Sequence, residues 1–586
     1  MLKQLFKFKG GVKPPTNKTQ STTLPIAGAP IPSRLVVPLH QSIGGTPRPV
    51  VQAGDTVLKG QLIGEADGWI SAAVHAPTSG TVVDVGMYVQ PHPSGLDAQC
   101  VVIEPDGRDQ WIAHAPFDYA HATPDAVRHY LQQSGVVGLG GAVFPTHGKL
   151  TASKTVPMDE LIINGAECEP FITCDDLLMR ERAEDVVRGI GVFRDLLKPK
   201  KVLIGIEDNK PEAAAAMRAA VNALGEQFLV VQVPTLYPAG GAKQLIRVLT
   251  GKEVPASKRS TDLGVQCFNV ATAYTAWCAI ATGQPVISRL VTVSGNVQAP
   301  RNYEVLIGTP MGELLQLGQP HPDTDGIVMG GPMMGFLVPN DTVPVVKATN
   351  CLIAHSERLF PPKAPEMPCI RCGACGEACP HELQPFELYW NARARNFGKT
   401  QEFHIFDCIE CGCCSFVCPS RIPLVQYFRF AKSEIWARER EKNAADEAKV
   451  RFEFKQYREE REKAEKAEKL AKAAAAQAAK KAAEAAAIAA VESPSETPAP
   501  APTEATGNTP LPAVDPAQDA KKAAIAAAMA RAKAQREAAQ PKNTETLNAD
   551  QARELADIEA RRQQAGIVEA RTAVPPPSDA ATQKAE

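Results

Sequence analysis

Two runs of cysteine carry the clearest chemical pattern in this chain. In both runs the cysteines are separated by two, two and three residues, and a proline follows the fourth. The first run is Cys369, Cys372, Cys375 and Cys379, and the second is Cys408, Cys411, Cys414 and Cys418. Thiolates at this spacing bind [4Fe–4S] clusters, because three on a tight loop can each reach one iron of a cubane. The spacing therefore predicts two clusters and one-electron chemistry.

The fourth cysteine of each run is expected to ligate the cluster of the other run. Cluster 1 is then held by Cys369, Cys372, Cys375 and Cys418. Cluster 2 is held by Cys408, Cys411, Cys414 and Cys379. The alternative is a pair of zinc sites, but zinc prefers paired C-x2-C knuckles separated by a longer spacer. The repeated run favours iron and sulfur over zinc.

The seven remaining cysteines follow no such spacing. Cys413 is one residue out of register and is interpreted as a bystander. Buried free thiols are expected at the other six, which are Cys100, Cys168, Cys174, Cys267, Cys278 and Cys351. Cys168 stands apart from them because it lies in a candidate site described next.

A glycine-rich segment from Gly135 to Lys149 is the second group of residues with chemical potential. It is neither a Walker A loop nor a G-x-G-x-x-G motif. Clustered glycines such as Gly138 and Gly140 let backbone N–H groups approach a phosphate or a flat ring closely. Lys149 could neutralise a phosphate. A purely structural turn is the alternative interpretation.

Polar residues follow the next predicted strand, at Asn164, Glu167 and Glu169. In open α/β sheets, ligands bind beyond the carboxyl ends of the strands. Two carboxylates and an amide there could hold ribose hydroxyls or ring nitrogens, although a polar turn would look the same in sequence. Two later segments, around Tyr237 and Asn269, are weak signals in isolation.

These residues must be positioned by several modules, and the pattern of strands and helices predicts a multidomain α/β protein. Residues 120–285 alternate helices and buried strands in a doubly wound, Rossmann-like pattern. Residues 30–115 resemble the barrel-sandwich fold of biotinyl and lipoyl carriers. Those carriers need an acceptor lysine, and no lysine occurs between Lys59 and Lys149. A swinging-arm carrier is therefore excluded, and the module is interpreted as structural.

The remaining predicted boundaries are as follows. An N-terminal segment covers 1–29, a β-grasp-like module covers 286–355, and an α-helical ferredoxin-type domain with both clusters covers 360–430. A charged, Ala-rich helix is expected over 431–491. The end of the chain, 492–586, is of low complexity and is expected to be disordered, with one helical segment at 521–536.

Composition excludes several classes of protein. The formal net charge is -2, so no global basic field indicates nucleic-acid binding. Fifteen cysteines without a secretory signal argue against a disulfide framework. No run of apolar residues is long enough for a transmembrane helix. A reducing, cytoplasmic location is expected, and it suits thiolates that hold iron.

The order of these motifs resembles the flavin-bearing, NADH-oxidising subunit of respiratory complex I. That family has a glycine-rich loop ending in G-G-A-G-F-P-T, then N-x-D-E-x-E-P, a tyrosine–glycine motif, a β-grasp module and an iron–sulfur segment. Here the N-terminal barrel-sandwich and the doubled cysteine run are additional. That combination resembles the C subunits of Rnf-type ion-translocating electron transport complexes, over roughly residues 5–435.

The resemblance implies a peripheral subunit on the cytoplasmic face of the cell inner membrane. It implies electron exchange between NADH, FMN and the two clusters, with cation transport by integral-membrane and iron–sulfur partner subunits. The positions that match the FMN site are Gly138, Gly140, Lys149, Asn164, Glu167 and Asn269. Phe144 and Glu169 match positions that contact NADH. No residue is expected to act as a catalytic acid, base or nucleophile.

The chain departs from the complex I pattern at several charged positions. Ala166 replaces an aspartate, Leu139 replaces an arginine, and Gly241 and Ala242 replace an acidic pair. Two other functions therefore stay open. One is a soluble diaphorase-like subunit of a hydrogenase or formate dehydrogenase, and the other is a flavin-free scaffold that carries the clusters.

Overall fold

The computed structural model describes residues 5–489, apart from 152–155, 256–257 and 363. The chain divides into two compact units, and the boundary between them lies between Glu462 and Lys463. The predicted tail over 492–586, with its helical segment at 521–536, lies outside the described residues.

The first 29 residues were predicted as a separate segment, but their described part contacts three modules. After a 3-10 turn at Thr19–Ser21, strand β1 (Ala27–Gly28) pairs in parallel with Tyr303 and Glu304. Upstream, the Gly11 amide donates to the Ala378 carbonyl oxygen at 3.0 Å. The segment is short and polar, so nothing in its own pattern indicates these distant partners.

Two antiparallel sheets form the N-terminal β-module. The strands are β2 (Leu35–Pro38), β3 (Arg48–Pro49), β4 (Thr56–Val57), β5 (Leu62–Glu65), β6 (Val74–His75), β7 (Gly80–Val89) and β8 (Asp97–Pro105). One sheet has the order β2-β8-β7-β4 and the other β3-β5-β6. Alternate residues such as Leu35, Val37 and Ile63 are fully buried between them, because side chains of a strand point to opposite faces in turn.

A four-stranded parallel sheet with helices on its faces forms the second module. Its helices are α1 (Pro124–Gln133), α2 (Thr146–Lys149), α3 (Cys174–Glu181), α4 (Ala183–Leu197), α5 (Pro211–Ala223), α6 (Ala242–Thr250) and α7 (Val270–Thr282). Its strands are β9 (Glu160–Gly165), β10 (Lys201–Glu207), β11 (Leu229–Val233) and β12 (Val265–Asn269), in the order β11-β10-β9-β12. A 3-10 turn, Ser260–Leu263, precedes β12.

The parallel arrangement brings the carboxyl ends of these strands to one edge. Asn164 of β9 and Asn269 of β12 are direct neighbours in register there. The position of α7, which starts at this edge, depends on Gly189 of α4. A Cβ on Gly189 would lie 1.9 Å from the carbonyl oxygen of Ala273, so only glycine allows the two helices to cross this closely.

The third module is a mixed sheet with one helix. Its strands are β13 (Ser288–Gly295), β14 (Arg301–Leu306), β15 (Gly326–Met329), β16 (Phe336–Leu337) and β17 (Cys351–His355), and its helix is α8 (Met311–Gln316). With β1 the sheet order is β1-β14-β13-β17-β15-β16. The loop between β13 and β14 covers residues 296–300, and the Asn296 side-chain amide donates to Asp323 at 2.8 Å.

Short helices surround the two cysteine runs. They are α9 (Ala374–Glu377), α10 (Pro385–Arg393), α11 (Phe397–Glu402) and α12 (Cys413–Phe416), with a 3-10 turn at Ile405–Asp407. The last helix, α13, runs over Leu424–Ala489. It starts before the predicted boundary at 431, because Leu424, Phe428 and Ile435 bury one stripe in the core of this domain.

No helix among the described residues combines the length and the apolar content that a membrane span requires.

Candidate functional site: two cysteine cavities and a strand-end cleft

Each cavity in the cysteine domain is lined by three cysteines of one run and the fourth of the other. Cys408, Cys411 and Cys414 line one cavity together with Cys379, and Cys413 lines the same cavity. Cys369, Cys372 and Cys375 line the other together with Cys418. This is the grouping that the spacing predicted, although ligation itself stays a prediction. Four thiols around an apolar cavity suit a cubane cluster in each place.

The two runs repeat the same backbone conformation. Arg371 and Glu410 occupy equivalent positions with φ of 55° and 58°, and Gly373 and Gly412 follow with φ of 81° and 82°. Left-handed residues at matched positions turn each loop tightly enough for its three thiols to face inward. The loop geometry is therefore a property of the repeated motif.

The surroundings of the two cavities differ. Around cluster 2, Cys411 and Cys414 are buried, and the Lys432 ammonium donates to the Cys408 carbonyl oxygen at 2.7 Å. Around cluster 1, Cys372 is exposed and Ile370 is 69% exposed. Cluster 2 would thus lie inside the protein, and cluster 1 would lie at its surface.

Cys413 is fully buried beside cluster 2, where it packs with Val12, Tyr237 and Ala378. Of the other free thiols, Cys100, Cys174, Cys267 and Cys351 are buried, whereas Cys168 and Cys278 are partly exposed. Burial raises the pKa of the Cys278 thiol to about 11, so it is protonated at neutral pH.

The glycine-rich loop docks on the first turn of α7. The Gly138 amide donates to the Phe144 carbonyl oxygen at 2.8 Å, which closes the loop, and the Leu139 amide donates to Thr272 Oγ1 at 2.9 Å. Gly140 faces Asn269, and a Cβ on Gly140 would lie 3.2 Å from the Asn269 Cβ. The loop therefore brings exposed backbone to the carboxyl edge of the sheet, as a phosphate or flat-ring site requires.

Both asparagines at this edge use their side chains in the fold. Asn164 Nδ2 donates to the Gly240 carbonyl oxygen at 2.8 Å. Asn269 Nδ2 donates to Asp175 at 2.6 Å, and its Oδ1 caps α7 by accepting from the Ala271 amide. These bonds fix the two amide groups beside the glycine-rich loop.

Lys149 lies beneath the loop. Its ammonium donates to the Cys267 carbonyl oxygen at 2.8 Å and lies 5.1 Å from the centre of the Phe268 ring. Burial lowers the pKa of Lys149. A direct contact between Lys149 and a phosphate would require its side chain to leave this carbonyl.

Phe144 lies at the outer side of the same loop, where its ring contacts Gly148. A Cβ on Gly148 would lie 3.1 Å from the Phe144 ring. The half-buried ring is thus held at the edge of the glycine-rich loop, next to the exposed Gly141 and Ala142.

Glu167 is buried, and one of its oxygens has no hydrogen-bond partner. Its Oε1 accepts from the Asp175 amide at 2.7 Å, while Oε2 accepts no hydrogen bond from any described residue. Burial raises the pKa of Glu167 to about 8, against the opposing charge of Lys18 at 4.0 Å. The carboxyl is therefore largely protonated at neutral pH.

Glu169 reaches from the strand-end loop to the segment of the third module between β15 and β16. Its Oε1 accepts from the amides of Met333 and Met334 at 2.7 and 3.0 Å. A Cβ on Gly331 would lie 2.0 Å from Glu169 Cγ, so this close approach requires glycine. Burial raises the pKa of Glu169, against these amide donors.

Two residues to which the sequence analysis gave no role, Lys18 and Tyr237, organise the site. Lys18 donates to the carbonyl oxygens of Glu167 and Glu169, each at 2.8 Å, and to that of Ile172. Tyr237 donates its hydroxyl hydrogen to the Cys411 carbonyl oxygen at 2.6 Å. A single lysine in a polar N-terminal segment gives no sequence signal, whereas Tyr237 belonged to a motif too weak to interpret alone.

Four protein-family models match this chain. The RnfC barrel sandwich hybrid domain matches residues 6–108, and the Nuo51 FMN-binding domain matches 131–277. The SLBB domain matches 290–337, and the 4Fe-4S dicluster domain matches 368–422. Together they describe a multidomain α/β chain with barrel-sandwich, FMN-binding, SLBB and dicluster domains, and this confirms the predicted fold class at that level. The exact boundaries stay predictions.

Curated relatives of this chain are named as the C subunits of ion-translocating oxidoreductase complexes. The Haemophilus influenzae (strain 86-028NP) protein is 47% identical over 459 residues, which cover 78% of this chain and 69% of the relative. The Yersinia pestis bv. Antiqua (strain Antiqua) protein is 48% identical, with 78% and 73% covered. The Pasteurella multocida (strain Pm70) protein is 48% identical, and this chain spans 54% of its length.

Among solved structures, a chain of an NAD+-reducing [NiFe]-hydrogenase in the air-oxidized state is 20% identical with a TM-score of 0.38. The match covers 48% of this chain and 55% of that chain. The likeness is too weak to support an argument.

Proposed function

This chain belongs to the family of C subunits of ion-translocating oxidoreductase complexes, and we propose that it works there as a peripheral electron-transfer subunit. The observation that carries the proposal is the pair of cysteine-lined cavities, each with three cysteines of one run and the fourth of the other, one of which adjoins the strand-end cleft through Tyr237. Its cofactors are FMN and two [4Fe–4S] clusters. When bound, FMN converts two-electron to one-electron transfer, and the clusters carry single electrons.

The residues of the cleft have separate roles in this proposal. The FMN would be held by backbone at Gly138 and Gly140 and by side chains that border them, namely Lys149, Asn164, Glu167 and Asn269. NADH would contact Phe144 and Glu169. The exposed amides of the loop suit a phosphate, and the protonated Glu167 can donate a hydrogen bond to a ring nitrogen or carbonyl.

The geometry favours one order for the clusters. Cluster 2, in the cavity of Cys408, Cys411, Cys414 and Cys379, adjoins Glu169 and Tyr237 at the strand-end cleft. Cluster 1, in the cavity of Cys369, Cys372, Cys375 and Cys418, lies next to exposed residues. Electrons would therefore pass between the cleft and cluster 2, and then between cluster 1 and a partner subunit.

Membership of the family supports our proposal for the location and partners. We place the chain peripherally on the cytoplasmic side of the cell inner membrane, with integral-membrane and iron–sulfur subunits as partners. Cation translocation would belong to those subunits, and no nucleic-acid partner is proposed. The 286–355 module is assigned to the β-grasp class, which its mixed sheet and single helix α8 support.

The alternatives are less well supported. A diaphorase-like subunit of a soluble hydrogenase or formate dehydrogenase would not need the barrel-sandwich domain matched at 6–108. A flavin-free scaffold does not account for the match of 131–277 to an FMN-binding domain.

The test is anaerobic reduction of the purified full chain, with flavin absorbance and EPR recorded together. NADH should bleach the flavin and produce [4Fe–4S] signals. In Cys411→Ala, NADH should still bleach the flavin while the signal of cluster 2 is lost. Cluster signals that appear with dithionite but never with NADH would favour the scaffold. No cluster signal with either reductant would refute the proposal.

A further inference from the structure

Two buried cations from the third module lie under the glycine-rich loop. Arg289 of β13 is 5% exposed and Lys347 is 1% exposed. Among the residues that the structure describes, neither Arg289 nor Lys347 forms a salt bridge, although burial lowers the pKa of Arg289 against the opposing charge of the buried Asp175 carboxylate. Buried charges usually have an ionic partner, because desolvation without one is costly. Their partners here are backbone carbonyl groups.

The carbonyls that they bind belong to the loop and its supports. Arg289 donates from one terminal nitrogen to the Leu139 carbonyl oxygen at 2.8 Å and from the other to the Lys347 carbonyl oxygen at 2.5 Å. Lys347 Nζ donates to the carbonyl oxygens of Gly135 at 2.7 Å and Ala73 at 3.2 Å. The first and fifth residues of the loop are thus held from below by a different domain.

Gly135 is adapted to this contact. It has a left-handed φ of 73°, and a Cβ there would lie 2.7 Å from Lys347 Nζ and 2.5 Å from the Ala73 carbonyl oxygen. The loop therefore begins at a position where only glycine has room beside the buried ammonium.

The bond from Arg289 to Leu139 also sets the direction of the next amide. In a trans peptide the C=O and N–H groups point in opposite directions. With the Leu139 carbonyl held inward, the Gly140 N–H must point outward. Gly140 is exposed, and its backbone amide donates no hydrogen bond to any residue that the structure describes.

We propose that Arg289 is a positioning residue for the flavin site, which aims the Gly140 amide at an anionic group such as the FMN phosphate. The inference rests on the proposed FMN site. It assigns to the third module a specific part in cofactor binding, because the residue that orients the loop comes from β13 and touches no ligand. Lys347 holds the base of the loop in the same arrangement.

The test compares FMN binding by Arg289→Met, Arg289→Lys and a matched control in the full chain. Arg182→Met is the control, because Arg182 also links the second and third modules, through Glu304 at 2.8 Å, but has no hydrogen bond to the loop. FMN is removed and titrated back, with flavin fluorescence as the signal. Arg289→Met should weaken FMN binding at least about 10-fold, and Arg289→Lys, which keeps one donor, should recover part of the loss.

Hydrogen exchange over residues 136–144 gives a readout that needs no flavin. Arg289→Met should speed exchange in this segment while the EPR signals of the clusters stay unchanged. FMN affinity and loop exchange within twofold of wild type in Arg289→Met would overturn the inference, and so would equal losses in Arg182→Met. If wild type bound no FMN, the proposed function would be refuted, and loop exchange would still decide whether Arg289 orders the loop.

Discussion

Tyr237 and Cys411 are joined by a hydrogen bond of 2.6 Å from the phenol hydroxyl to the backbone carbonyl oxygen. Tyr237 follows β11 in the α/β module, whereas Cys411 belongs to the second cysteine run. The bond therefore joins the α/β module directly to the loop that we propose to hold cluster 2. Val12 of the N-terminal segment pairs with Tyr237 and fixes it from the other side.

Replacing Tyr237 with Phe should affect cluster 2 alone. The ring stays, and the lost hydrogen bond should lower stability by about 1 kcal/mol. We expect the midpoint reduction potential of cluster 2, measured by EPR, to change, because hydrogen bonds around a cluster tune its potential. Tyr389→Phe is the matched control, since Tyr389 lines the cavity proposed for cluster 1 and its hydroxyl donates to Glu366. Equal potentials for cluster 2 in wild type and Tyr237→Phe would contradict this role.

Cys379→Ala should remove cluster 2, although Cys379 belongs to the run that supplies cluster 1. The cavity geometry groups it with Cys408, Cys411 and Cys414. Iron content should fall by about half, and the EPR signal of cluster 1 should persist. Cys413→Ala should retain all the iron, because Cys413 is interpreted as a bystander. Loss of cluster 1 on changing Cys379 would show that each run keeps its own fourth ligand.

Glu167→Gln should change the pH dependence of stability. Burial raises the pKa of Glu167 to about 8, above its value of 4.5 when unfolded. The folded state then holds a proton that the unfolded state releases, so this stabilisation is lost as pH rises from 4.5 to 8. Glutamine cannot ionise and should flatten that part of the curve. Thermal unfolding of wild type and Glu167→Gln at pH 5 and pH 8 measures this pH dependence. The same change in stability between the two pH values in both proteins would argue against a protonated Glu167.

Lys347→Met should destabilise the chain more at high pH than at neutral pH. Burial lowers the pKa of Lys347 from 10.5 to about 7. The unfolded state then binds more protons between these values, so wild type gains stability as pH rises through that window. The methionine variant lacks this gain and leaves two carbonyls unpaired. Thermal unfolding midpoints of wild type and Lys347→Met at pH 7 and pH 9.5 measure the loss of stability. A loss of the same size at both pH values would contradict the lowered pKa of Lys347.

Truncation within α13 should separate its buried start from its exposed remainder. A chain ending at residue 445 keeps Phe428, Ala431 and Ile435 in the core of the cysteine domain and should retain both clusters. A chain ending at 427 loses these contacts and should lose iron. Each buried side chain of this size contributes about 1.5–3 kcal/mol. Equal iron in the two truncated chains would show that the helix does not support the cluster domain.

Much of the fold was predictable because its signals are local. Short periodic patterns of apolar residues indicate the buried strand at Leu161–Ile163 and the helix that begins at Pro211. The start of α13 was placed too late because turn residues at 419–423 directly precede Leu424, and the helical stripe that begins there is recognised only once its partner surface is known.

The cysteine spacing by itself determined the number of clusters and the expected crossing of Cys379 and Cys418, because ligands within a few residues share one loop. Which cysteine cavity adjoins the strand-end cleft was decided only by the tertiary structure. The position of this cavity beside the cleft depends on the contact between Tyr237 and Cys411. The strand-end cleft also depends on Lys18 and Arg289, which lie far from it in sequence. Contacts between distant segments carry no periodicity or spacing, so only the packed chain brings them together.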